Sequence, residues 1–140
     1  MNTVLIGERE YPIYCDLYVL SKIQDKMSIN QFERDILGAV IERDEEGEPI
    51  RDEKGHIRLV FDKYNIETVL FGLTLMINEG LEIKAEQEES EQEKITEKEI
   101  ARTCRLPIEK LTEILHTEFL NCLGSKKKEP AKSTSRKRST

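Results

Sequence analysis

The side chains that most often perform catalysis or bind metals are sparse in this chain of 140 residues. The two histidines, His56 and His116, are far apart and neither lies at a metal-ligand spacing from another histidine or a cysteine. The cysteines Cys15, Cys104 and Cys122 are odd in number, widely separated and outside any CxxC grouping. We therefore expect reduced, packed thiols, with neither a disulfide framework nor a zinc site.

Phosphate-binding and calcium-binding patterns are also missing from the sequence. The seven glycines are isolated from one another, so no glycine-rich loop can surround a phosphate. The acidic run Asp44–Glu48 loosely resembles a calcium loop but lacks its alternating Asp or Asn oxygens and its final Glu. A nucleophilic triad or a His–carboxylate metal site could be assembled on paper from any acidic protein, so neither is indicated here. The sequence therefore predicts no catalytic residue, no bound metal and no cofactor. We expect a protein that is not an enzyme.

Residues 96–115 have the spacing of apolar side chains that is typical of a helix-turn-helix motif, which gives one hypothesis for the function. In this reading a small DNA-binding regulator would contact DNA through Arg102, Arg105 and Lys110 together with the basic C-terminal residues. Two acids, Glu109 and Glu113, lie in the helix that would enter the groove and would repel phosphates. The pattern therefore favours a packed helix pair over DNA binding.

Charge divides the chain into two parts. Residues 125–140 contain seven basic residues and one acid, giving +6, so the remaining residues carry −12 of the total charge of −6. This basic tail has almost no apolar side chain to bury, and we expect it to be disordered. The length suits a single globular domain over residues 1–124. Within it lie a charged insertion at about 42–56 and an acidic linker or helical extension at about 82–94.

The elements follow from apolar spacing and from helix caps. Two short runs around Gly7 predict an N-terminal β-hairpin, with Pro12 restricting the second run to an edge. Five helices are predicted next, and their apolar stripes include Leu17, Leu20, Ile23 and Met27; Ile29, Phe32 and Ile36; Ile66, Val69, Leu70, Leu73 and Ile77; Ile100; and Leu111, Leu115 and Phe119. We place the end of the third helix at Gly80. No internal repeat is evident, and the predicted class is mainly α, an α+β fold with one hairpin and about five helices.

The third helix is apolar over more of its circumference than one core-facing stripe needs. Phe71, Leu75 and Met76 widen that stripe, and the chain has few other places to cover them. We therefore predict that these three residues, followed by Phe119 and Leu123, bind a partner protein. The longest uncharged run is too short to span a bilayer and no signal peptide is recognisable, so we expect a cytoplasmic protein without membrane contact.

The order of these features resembles that of tail assembly chaperones from long-tailed phages and prophages of Gram-positive bacteria. The likeness spans about residues 1–124 and is carried by the segments Gly7–Ile13, Asp16–Ile23, Phe32–Gly38, Lys63–Glu67, Leu75–Gly80, Thr96–Arg102 and Pro107–Leu111. All of these are packing or capping patterns. The charged insertion and the basic tail have no counterpart in the family pattern.

The resemblance implies a non-enzymatic role in virion assembly. Such chaperones coat the aggregation-prone tape-measure protein in the host cytoplasm, are displaced as tail tube protein polymerises, and are missing from the mature particle. It also implies a longer, frameshifted form of the same protein, for which Lys126–Lys128 would suit a slippery codon run. Oligomers are possible, and nucleic acid is not an expected partner. A structural head or tail component that stays in the particle is a third hypothesis.

Overall fold

The computed structural model describes residues 1–61 and 63–124. The elements in chain order are β1 (Asn2–Ile6), β2 (Arg9–Ile13), α1 (Leu17–Gln24), α2 (Ile29–Leu37), β3 (Ala39–Ile41), β4 (Leu59–Phe61), α3 (Ile66–Glu88), α4 (Glu97–Thr103) and α5 (Ile108–Leu123). This architecture confirms the predicted class, an N-terminal antiparallel hairpin followed by five helices. The predicted disordered tail lies outside the described residues.

Local capping sets most of the helix boundaries. Asp16 and Ser28 accept hydrogen bonds from the backbone N–H groups three residues ahead of them and begin α1 and α2. Thr96 and Glu99 form a complete capping box at the start of α4. Gly38 and Gly124 adopt left-handed conformations where α2 and α5 end. These caps were predicted from the sequence, except that Gly124 was inferred only as the end of the last stripe.

Helix α3 is the centre of the packing and is longer than predicted. It passes through Gly80 and ends at Glu89, which takes the left-handed cap conformation. The prediction was wrong because Gly80 is needed for packing rather than for termination: it is buried, and Pro12 of β2 lies directly against it. The acidic segment from residue 82 therefore starts as an extension of α3, and only residues 89–96 connect it to α4.

The hydrophobic core lies where the hairpin, α1, α2, α4 and α5 pack around α3. Its largest fully buried side chains are Phe32, Phe119, Ile13, Ile23, Ile36, Leu73, Met76, Ile77, Ile100, Leu115, Val4 and Val19. Phe32 and Phe119 pack with their ring centroids 5.2 Å apart. Because α4 packs mainly on α3 and α5 packs mainly on α2 and α3, the predicted pairing of the last two helices is not the main contact of either.

The charged insertion is a projecting arm, and it contains a repeat that was not predicted. Asp44 Oδ1 accepts hydrogen bonds from the N–H groups of Glu46 and Glu48, and Asp52 Oδ1 accepts them from Lys54 and His56. Arg43 and Arg51 each donate to the carbonyl of the glycine four residues later. Residues 43–50 and 51–58 therefore fold as two copies of one turn, which we call the tandem-turn arm.

Candidate docking face

The five residues predicted to bind a partner fall into two groups. Met76 and Phe119 have no exposed surface. Their assignment to a partner surface was therefore wrong, because α3 and α5 are covered on those sides by β2, α1 and α2 and both side chains belong to the core. Phe71 and Leu75 are half-buried on α3, and Leu123 is 44% exposed at the end of α5. Three of the five therefore remain accessible.

Helix α1 lies antiparallel beside the part of α3 that carries Phe71 and Leu75. Just before α1, the N–H of Tyr14 donates to the carbonyl of Met76 at 3.0 Å. Just after α1, the Nζ of Lys26 lies 4.4 Å from the centre of the Phe71 ring. The two contacts fix the direction and position of α1 along α3.

Helix α1 exposes apolar side chains that were not predicted to bind a partner. Leu17 is 79% exposed and Tyr18 is 58% exposed, and Tyr14 before them is 41% exposed. Leu17 was placed in the core stripe of α1, which was wrong because Val19 and Ile23 define the buried side and Leu17 points away from it. A helical wheel centred on Val19 and Ile23 would have revealed this.

We use the name α1–α3 face for the exposed and half-buried apolar side chains on and just before α1 and on the adjacent part of α3, namely Tyr14, Leu17, Tyr18, Phe71 and Leu75. Lysines lie against its aromatic rings, since Lys22 Nζ is 5.3 Å from the centre of the Tyr18 ring and Lys26 covers Phe71. Their aliphatic stems cover part of the apolar surface while the ammonium groups stay in water. The face therefore combines apolar contact area with positive charge at the end near Phe71.

The opposite end of the same two helices is acidic. Asp16, the N-cap of α1, accepts a hydrogen bond from Val19 N at 3.0 Å. A side-chain hydrogen bond with Asp16, followed by burial and the charges of Asp16, Glu82 and Glu86, raises the pKa of Glu79 to about 7. The α1–α3 face therefore lies between lysines at one end and the neighbouring carboxyl groups of Asp16 and Glu79 at the other.

The histidines and cysteines do not gather into one site. His116 Nε2 lies 2.9 Å from Glu33 Oε2 and joins α5 to α2, whereas His56 belongs to the second turn of the arm. Burial, followed by a hydrogen bond with Cys122, raises the pKa of the Cys15 thiol well above its ordinary value. Burial also raises the pKa of Cys122, so both groups are held as thiols. Within residues 1–61 and 63–124, no three His, Cys, Asp or Glu side chains are grouped as metal ligands.

The residues of the DNA-binding hypothesis lie in two places. Arg102 and Arg105 line a cavity of about 470 Å³ between the β1–β2 turn and the end of α4. Lys110, on α5, is instead paired with Glu113 at 3.1 Å. The arrangement brings two of the three cations together and leaves the third beside an acid.

None of the helices in the described part of the chain has the length and apolarity that crossing a membrane requires. No protein-family model, curated protein or solved structure matches the chain.

Proposed function

We propose that the protein is a tail assembly chaperone of a long-tailed phage or prophage, which binds the tape-measure protein and keeps it soluble in the host cytoplasm until the tail tube forms. The observation that carries this proposal is the α1–α3 face, where Leu17 is 79% exposed and Tyr18 is 58% exposed on α1, and Phe71 and Leu75 are half-buried on the adjacent helix α3. An apolar cluster of this kind on a highly charged small protein is typical of a binding surface for a protein partner.

The shape and charge of the face suit the apolar side of an amphipathic helix. Two antiparallel helices leave a shallow surface along which such a helix can lie, with apolar side chains at intervals of three or four residues as its anchors. Acidic residues at one end of the guest would meet Lys22 and Lys26, and basic residues at the other end would meet Asp16 and Glu79. The charge of −12 on residues 1–124 would keep the complex soluble.

The small size of the α1–α3 face would also allow the tape-measure protein to be released. Five exposed or half-buried side chains provide contacts of modest strength, which suits a chaperone that must be displaced when tube subunits arrive. Several copies along one long guest would add their contacts, so that coverage can be stable while each copy exchanges.

Co-expression with the tape-measure protein from the same gene cluster tests the proposal. We expect the wild-type chain to keep that protein in the soluble fraction and to co-purify with it. The double variant Leu17→Ser and Tyr18→Ser should lose both effects, because it removes the two most exposed apolar side chains of the face. Its matched control is Ile57→Ser on the arm with Leu59→Ser at the start of β4; these side chains are 41% and 50% exposed, and the control should retain both effects.

Equal loss in both variants would overturn the assignment of the face, and no solubilisation by the wild-type chain would overturn the function. Mass spectrometry of purified virions separates the chaperone from a structural tail component, because only the latter stays in the particle. Titration of duplex DNA at two salt concentrations tests the regulator hypothesis, for which tight binding with a steep salt dependence is required. Sequencing the codons of Lys126–Lys128 tests for the frameshifted longer form, since a slippery run must be present there.

A further inference from the structure

The edge of β1 that faces away from β2 has backbone groups that could pair with another strand. The hairpin register pairs Thr3 with Pro12 and Leu5 with Glu10. Pro12 has no N–H, so it cannot exchange two hydrogen bonds with Thr3, and hydrogen-bonded pairs alternate with other pairs in an antiparallel ladder. Thr3 and Leu5 therefore direct their N–H and C=O groups away from β2. Among residues 1–61 and 63–124, no strand pairs with that side of β1.

This edge lacks the features that usually protect exposed edges. Sheet edges are commonly blocked by charged side chains, proline or a covering element. The strand Asn2–Ile6 contains no charged residue and no proline, although 36% of the chain is charged. Leu5 is 41% exposed on it. An unprotected edge of this kind is more typical of a strand that gains a partner.

A groove lies between the first residues of β1 and α5. A cavity of about 440 Å³ is lined by Asn2 and Thr3 on one side and by residues of α5 from Lys110 to Glu118 on the other. A second cavity of about 300 Å³ continues it towards Cys122, and Asn2 and Glu118 line both. A strand edge facing a helix across a groove is the geometry in which extended peptides add to a sheet.

Glu118 places negative charge in this groove. Its side chain is 5% exposed, and the amide of Asn2 donates a hydrogen bond to its Oε2. The acid Glu113 at the groove is already paired with Lys110, whereas Glu118 has an amide rather than a cation as its partner. A basic side chain entering the groove would therefore gain a charge-assisted hydrogen bond.

We propose that the β1 edge binds an extended segment of a partner protein as a third strand, with a lysine or arginine of that segment directed to Glu118. Main-chain hydrogen bonds to Thr3 and Leu5 supply binding that tolerates many sequences, and Glu118 selects for a cation over an anion. The inference is separate from the α1–α3 face and does not depend on the chaperone proposal.

Two blocked peptides test it against the full chain, acetyl-Ser-Val-Lys-Val-Ser-amide and its counterpart with Glu in place of Lys. We expect the lysine peptide to slow amide exchange at Thr3 and Leu5, followed by NMR, at least tenfold at saturation. The glutamate peptide should bind at least tenfold more weakly. Failure of the lysine peptide to slow exchange, or equal binding of both peptides, would overturn the proposal.

Variants assign the effect to the groove. Thr3→Pro removes an outward N–H that the hairpin does not use, so peptide binding should fall at least fivefold while the melting temperature changes little. Thr3→Val keeps that N–H and is the matched control. Glu118→Gln should reduce the preference for the lysine peptide to less than threefold. If the two amides are already protected without peptide, the occupant is a second copy when protection depends on protein concentration, or this chain itself when it does not, and either result overturns the proposal.

Discussion

A Cβ atom on Gly80 would lie 3.0 Å from both the carbonyl carbon and the carbonyl oxygen of Pro12. Helix α3 and strand β2 therefore meet at a backbone separation that a larger side chain does not fit. The same contact explains why α3 continues through a glycine that could have ended it, since the missing side chain lets the hairpin pack onto the helix.

Gly80→Ala should lower stability despite the better helix propensity of alanine. Propensity favours the change by up to about 1 kcal/mol, but overpacking against backbone costs about 1–3 kcal/mol. We expect a net loss of about 1 kcal/mol in the free energy of unfolding, measured by urea denaturation. Glu82→Ala, exposed on the same helix, is the control and should stay within about 0.5 kcal/mol of wild type. A stabilised Gly80→Ala would show that the contact is looser than described.

The side chain of Asn78 holds the connection between α3 and α4. Its Nδ2 donates to the carbonyl of Ile95 at 3.0 Å, and the N–H of Ile95 donates to its Oδ1 at 2.8 Å. Asn78→Ala should cost about 2–3 kcal/mol, because Ile95 is buried and both of its backbone groups lose their partner. Urea denaturation and the exchange rate of the Ile95 amide measure this loss. Asn30→Ala, exposed on α2, should be close to neutral, and equal stability of the two variants would contradict the role of Asn78.

The Asp16–Glu79 pair predicts a specific dependence of stability on pH. The pKa of Glu79 is raised from 4.5 to about 7 in the folded state, so between these values the folded chain binds more protons than the unfolded chain. The contribution of Glu79 is therefore fully present below pH 4.5 and is lost as pH rises through about 7. Glu79→Gln removes this dependence, and it should gain stability relative to wild type from pH 5 to pH 8 in urea denaturation. A constant difference across that range would contradict the raised pKa.

The two turns of the arm should respond alike to mutation. Asp44→Ala and Asp52→Ala each remove one oxygen that accepts two backbone N–H groups. We expect faster amide exchange at Glu48 in the first variant and at His56 in the second, each within its own turn. Global stability should change by less than about 1 kcal/mol, because both turns are exposed. A response in only one turn would show that the copies are not energetically equivalent.

The sequence predicts most of the local structure of this protein. Caps such as Asp16 and Thr96 act through hydrogen bonds to residues two or three positions away, so they can be predicted from the neighbouring residues in the sequence. Pro12 likewise predicts an edge strand, because it has no N–H to donate. Combined with the hairpin register, it shows that the backbone N–H and C=O groups of Thr3 and Leu5 point away from β2. The fold class followed because apolar spacing and these boundary signals agree along residues 1–37 and 96–124.

The candidate site was only partly predictable. The width of the apolar surface on α3 led us to expect more apolar side chains than one stripe can bury, but it did not indicate which of them stay accessible. Met76 and Phe71 are both apolar and lie on adjacent parts of the helix, yet one is sealed and the other is half-buried. The tandem repeat of the arm could have been found in the sequence, since Arg-Asp and a glycine recur at eight-residue spacing in residues 43–58.

What the sequence determined by itself was where helices and strands begin, the separation of acidic and basic parts, and the scarcity of catalytic side chains. Only the tertiary structure decided that Met76 and Phe119 are core, that Leu17 and Tyr18 are exposed, and that Asp16 raises the pKa of Glu79. The physical reason is that capping and propensity act between near neighbours in the chain, whereas burial and pKa depend on which distant helices pack against a side chain.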